Sequence, residues 1–169
     1  VKGTVGGGTG SITITSLRLR DCANATLATA AGPPATVPID SASVSVAAIT
    51  TPQTVVELGT LTISPSVTIT GCATGPATWS VSPALPGGAS LDTSSGVITW
   101  TPACGTASTY GPFTLTATAA SGGAGAGNPF QIVVSPRTYS IVASAGAGGS
   151  IAPTGTVSVH CGANQAFAI

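Results

Sequence analysis

Residues 113–135 read FTLTATAASGGAGAGNPFQIVVS. Two runs of strict alternation flank a glycine-rich break. In the first, Phe113, Leu115, Ala117 and Ala119 share one face and threonines fill the other. In the second, Phe130, Ile132 and Val134 repeat the pattern. A period of two belongs to a strand with one buried face, so the stretch predicts two strands joined through the loop SGGAGAGN. The same period continues upstream. Residues 49–59, ITTPQTVVELG, read as an entering strand. In residues 60–70, TLTISPSVTIT, Leu61, Ile63, Pro65, Val67 and Ile69 alternate with threonine and serine. Pro65 cannot donate to a ladder, so that run is expected at an edge or broken at the proline. Residues 77–81, ATWSV, turn Trp79 and Val81 inward, and SPALPGG makes a turn. Residues 90–102, SLDTSSGVITWTP, contain a tight hairpin around Ser94 to Gly96, after which Ile98 points inward. About seven short strands separated by turn signals are the pattern of a β-sandwich.

The flanks carry less. Residues 11–20, SITITSLRLR, alternate with a parity slip at Ser16, and residues 36–46, TVPIDSASVSV, return to period two. Residues 1–48 therefore read as the last strands of one module, 49–136 as a complete module and 137–169 as the opening of another. In the last of these Tyr139, Ile141 and Ala143 alternate, AGAGGS turns the chain and GTVSVHCG supplies a further strand. Three or four strands cannot close a sandwich, so the chain is expected to be an excerpt of a longer polypeptide or to be completed by a neighbour. The expected fold class is all-β: tandem Ig-like or cadherin-like β-sandwich modules, one complete and two partial.

Composition narrows the function. Only 5% of the 169 residues are charged, four basic against four acidic, with zero formal net charge. Outward strand faces must then be covered by Thr and Ser hydroxyls, which suits a wall, an array or a filament. Lys2, Arg18, Arg20 and Arg137 are too few to neutralise a run of phosphates, which argues against nucleic acid. No apolar run reaches the roughly 20 residues a membrane-spanning helix needs.

The segment from Trp79 to Ala117 resembles the Putative Ig family of bacterial surface proteins, which has a cadherin-like fold. The resemblance rests on Trp79-Ser80-Val81, Leu85-Pro86-Gly87-Gly88, Leu91-Asp92, Gly96-Val97-Ile98, Thr101-Pro102 and the strand from Tyr110 to Ala117. It covers about residues 58–136. Trp100 departs from it, standing where a glycine is usual. Residues 139–169 are similar to the start of divergent bacterial B-repeats, and residues 10–48 to the end of a cohesin-like domain. The resemblance implies a non-catalytic spacer, stalk or adhesive unit that is secreted or held at a bacterial cell surface. Its implied partners are neighbouring modules, other copies in a filament, or cell-wall and surface glycans.

The cysteines lie at 22, 72, 104 and 161, with no CxxC pair. In an extracellular setting they read as two disulfides, with free thiols as the alternative and a metal site the weakest reading. The Ig-like strand order that the resemblance implies puts Cys72 at the end where the chain enters and Cys104 at the opposite end. A six-residue strand spans about 20 Å, whereas a disulfide needs Cα atoms within about 7 Å. The expected pairs are Cys22–Cys72 and Cys104–Cys161, each stapling a module boundary; Cys72–Cys104 stays open if the sheet is short or strongly slanted.

Enzyme chemistry has little to work with. His160 is the sole histidine, and no acid stands near it in sequence. Asp21, Asp40, Glu57 and Asp92 are isolated, which suits neither a carboxylate pair nor a calcium cluster. VGGGTGS and SGGAGAGN lack the Lys-Ser/Thr ending of a phosphate loop and read as loops. No catalytic residue, cofactor or metal ligand is expected. Asn24-Ala25-Thr26 fits a glycosylation acceptor. Trp100 is the candidate for an exposed ring that stacks a sugar, which makes an accessory carbohydrate-binding module the third function class beside spacer and strand-complemented filament.

Overall fold

The computed structural model describes residues 42–169, which fall in one compact unit. The strand read at 11–20, Cys22 and Asn24 lie outside the described residues. The described part is entirely β. Its strands are β1 (Ser43–Val46), β2 (Gln53–Val56), β3 (Leu61–Ile63), β4 (Val67–Thr70), β5 (Ala77–Ser82) and β6 (Ser90–Leu91). They continue with β7 (Ile98–Trp100), β8 (Ser108–Ala119), β9 (Ala124–Ala126), β10 (Phe130–Ser135), β11 (Thr138–Ala143) and β12 (Gly155–His160).

The stretch that decides the fold supplies its spine. β8 is the longest strand, and Phe113, Leu115, Ala117 and Ala119 are buried along it, as their parity predicts. β10 pairs antiparallel with the first half of β8, and Phe130, Ile132 and Val134 are buried there. Their register shifts between Phe130 and Ile132, next to Gly111, whose φ is +105°. A side chain at Gly111 would crowd Phe113 and the Phe130 carbonyl, so the irregularity needs a glycine. β5 pairs with the second half of β8, and β2 runs parallel to β10, giving the order β2-β10-β8-β5.

A second sheet has the order β3-β7-β6. Leu61 and Ile63 of β3 and Ile98 and Trp100 of β7 join the residues of β5, β8 and β10 in one apolar core. Each fully buried aliphatic or aromatic side chain of this size contributes about 1.5–3 kcal/mol. The run at 60–70 does break at Pro65. β3 pairs with β7, whereas β4 leaves for β1. The missing N–H ends one ladder and the chain changes sheets there.

Two segments are more ordered than their sequence implied. The glycine loop 121–128 holds β9, which extends the β8 edge. The β1 strand lies so close that the Val44 carbonyl occupies the space a Cβ on Gly125 would need. Val46 and Ile49 enter the same core, and the Asn128 side chain clamps Ile49 from both sides of its peptide. Asn128 Oδ1 accepts from the Ile49 N–H at 2.7 Å, and Asn128 Nδ2 donates to the Ile49 carbonyl at 2.9 Å.

The β6–β7 hairpin depends on Asp92 and Gly96. Asp92 Oδ1 accepts from the Ser94 N–H at 2.9 Å and the Ser94 hydroxyl at 2.6 Å. The Ser94 hydroxyl, then the Ser94 N–H and the Ser95 donors, pull the Asp92 carboxyl from 3.8 down to about 2. Gly96 closes the turn at φ +78° under the Trp79 ring, where a Cβ would lie 2.5 Å from Trp79 Cδ2 and 2.9 Å from Pro65 Cγ. Gly96→Ala combines overpacking with a left-handed backbone and should cost about 3 kcal/mol, read as a lower urea midpoint at unchanged slope. Gly87→Ala, where nothing lies within 4 Å of the added carbon, should stay within about 0.5 kcal/mol.

Candidate functional site around Glu57

β2 ends on two residues with unusual demands. Alternation from Val55 carries Glu57 to the buried side, and the residue is only 1% exposed. A buried carboxylate is tolerated only if donors meet it. Leu58 follows at φ +62°, a region that costs a side-chain-bearing residue about 1–2 kcal/mol.

The return for that strain is a set of hydrogen bonds that ties separate segments together. The Glu57 N–H donates to the Ser135 carbonyl at the end of β10 (3.0 Å), and the Leu58 N–H to the Pro102 carbonyl (2.7 Å). Glu57 Oε1 accepts the Ala107 N–H at 3.0 Å, and Oε2 accepts the Arg137 N–H at 3.1 Å. One side chain thus holds both the loop that leads into β8 and the link between β10 and β11. The Arg137 N–H is the largest influence on this carboxyl. Burial pushes the other way, and the Arg137 N–H together with those of Ala107, Gly105 and Thr106 holds the group below its ordinary 4.5. The Arg137 guanidinium is not its partner; it lies 5.7 Å from the Tyr139 ring centroid.

Beside this carboxylate a covalent bond joins the loop before β8 to the end of β12. Cys104 is bonded to Cys161, with Cα atoms 5.2 Å apart and 57 residues of separation. The bond stands as expected from the sequence, and it rules out the Cys72–Cys104 alternative. On the chain-entropy account, closing a loop of this length contributes about 4 kcal/mol. The Cys161 N–H donates to the Arg137 carbonyl at 2.7 Å, so the base of the β11–β12 hairpin is pinned at three adjoining points. Cys72 lies at the far end of β8: its carbonyl accepts from the hydroxyl of Ser121, just past the end of that strand. β8 has 12 residues and spans about 40 Å, so the two cysteines mark opposite poles. Cys72 is also disulfide-bonded; the partner expected for it, Cys22, lies outside the described residues.

Trp100 is corrected. It is 3% exposed and cannot serve as an open stacking platform. Its Nε1 donates to the Gly87 carbonyl at 3.2 Å, and its ring meets Tyr110 edge-on at 5.0 Å. The cause is strand parity: Ile98 and Trp100 are two apart on β7, so both face the core. His160 is exposed at the end of β12, opposite Thr138. Among the described residues no group of three or more His, Cys, Asp or Glu could hold a metal ion, and no helix is long and apolar enough to cross a membrane.

Sequence reading passed over Glu57 as one of four scattered acids. The signal was present in QTVVELG, where the parity of Val55 extends to Glu57.

Comparison with known proteins agrees with this architecture. The family model described as Putative Ig domain matches residues 25–135, a longer stretch than the motifs alone carry. No curated protein matches the chain.

Because its folded value is depressed, Glu57 stabilises the junction fully above about 4.5 and loses that effect as pH falls through the lower folded value. The amide resonances of Ala107 and Arg137 should therefore shift together in an NMR titration, with a midpoint below 4.5. In Glu57→Gln that common transition should vanish.

Proposed function

The chain belongs to the Putative Ig domain family, and on that premise we propose that it is a non-catalytic structural segment of a secreted or cell-surface bacterial protein. On this reading it carries tandem β-sandwich modules. The core built around β8, which takes in Val46 of β1, forms one module, and residues 137–169 open another. The observation that carries the reading is the junction at Glu57. A buried carboxylate and a disulfide converge where β10 hands the chain on to β11. A rigid joint at a module end is what a stalk or spacer requires. The disulfide also supports an oxidising, extracellular location.

A second reading is favoured by one specific observation. The β11–β12 hairpin leaves Tyr139 at 48% and Val142 at 76% exposure, and Ile141 is exposed as well. Such a hairpin could accept a strand from another copy, giving a filament by strand complementation. Sedimentation over a wide concentration range, with electron microscopy of the concentrated sample, separates the two. The spacer reading expects a monomer throughout. Polymers that disappear in Ile141→Arg would replace it with the filament.

A further inference from the structure

The Cys104–Cys161 bond has a consequence for a chain under tension. Between these cysteines the backbone runs through β8, β9, β10, β11 and β12. The covalent route across the disulfide is short, with Cα atoms 5.2 Å apart. The backbone route has a separation of 57 residues and could extend to about 190–200 Å. When a chain with two parallel covalent routes is pulled from its ends, the short route tightens first and the long one stays slack.

We infer that the Cys104–Cys161 disulfide is a load bypass, through which tension crosses from the end of β7 to the base of β12 and leaves the strands between them unloaded. Residues 105–160 include the spine β8 and its partner β10. β10 sits between β2 and β8, so peeling it away from its C-terminal end would open the core. With the bond intact, no pull from beyond Cys161 reaches that end. The exposed hairpin β11–β12, which has little core of its own, is likewise kept out of the load path. The Glu57 bonds to Ala107 and Arg137 lie just inside the loop, so they hold the geometry without bearing the force.

The bypass has a chemical release. Cys104 is exposed and Cys161 is buried, so an external dithiol reaches the Cys104 sulfur. Its thiolate attacks Cys104 Sγ, forms a mixed disulfide and expels Cys161 as a thiolate, which takes up a proton. The second thiol of the reductant then displaces Cys104, which is also protonated, and closes the reductant to a cyclic disulfide. The reductant gives up two electrons and two protons, and the two cysteines gain them. The use of such a limiter rests on the stalk reading; its mechanics do not.

Single-molecule pulling of the whole chain by its two ends tests this. Oxidised wild type should unfold to a contour length about 190–200 Å shorter than the Cys104→Ser/Cys161→Ser variant, which leaves the other cysteines untouched. Equal lengths would overturn the inference. Should that variant not fold, the wild type alone decides. Adding a dithiol to the oxidised chain under load must lengthen it by at least the same amount, and no lengthening would contradict the bypass. Polymerisation in the sedimentation experiment would remove the spacer reading and leave this length increment as it is.

Discussion

A carboxylate taken out of water must be met by donors, and the C-terminal pole of this protein is arranged around that requirement at Glu57. The strand that delivers Glu57 is fixed by Val55 in the core. The donors come from the loop before β8 and from the link after β10. Neither segment could move far without leaving a charge buried and unpaired, which costs several kcal/mol in proteins generally. The disulfide then makes covalent what the carboxylate arranges. In a chain with so few charges, this acid is spent on joining segments rather than on chemistry.

The remainder of the module solves a different problem, that of building a core in a sequence where large side chains are scarce. Small residues are abundant in the sequence, and the aliphatic and aromatic side chains of the core are contributed by both sheets. Trp79 from β5 lies over Gly96 of the β6–β7 turn, and Trp100 from β7 meets Tyr110 of β8. Each ring reaches across the layer that separates its own sheet from the other. Glycine appears where the rings or a neighbouring backbone come closest, at Gly96 and Gly125, which is how a thin core reaches close packing. Outward faces carry hydroxyls in register, such as Ser90 and Thr99, 2.9 Å apart, in place of ion pairs.

Much of this was legible in the sequence because parity is a strong signal. The faces of β5, β8 and β10, the break at Pro65 and the β6–β7 turn follow from alternation and turn residues, and the Cys104–Cys161 pair from the strand order that the family resemblance implies. What was not legible depended on contacts far apart in the chain. The glycine loop gives no sign that β1 crosses it, because only the Val44 carbonyl makes Gly125 necessary. Trp100 was misread because a departure from a family pattern was given more weight than its own parity with Ile98. Glu57 was overlooked because an isolated acid is ordinarily solvated, and its donors at Ala107 and Arg137 stand 50 and 80 residues away.

The central claim is that the hairpin and the module form one rigid joint through Glu57 and the disulfide. Nitrogen-15 relaxation of the backbone amides tests it most directly. The account predicts that amides of β11 and β12 report the same overall tumbling as those of β8, with order parameters near the rigid value of about 0.85. Faster independent tumbling of Thr138–Ala143 and Gly155–His160, in oxidised protein at neutral pH, would contradict it.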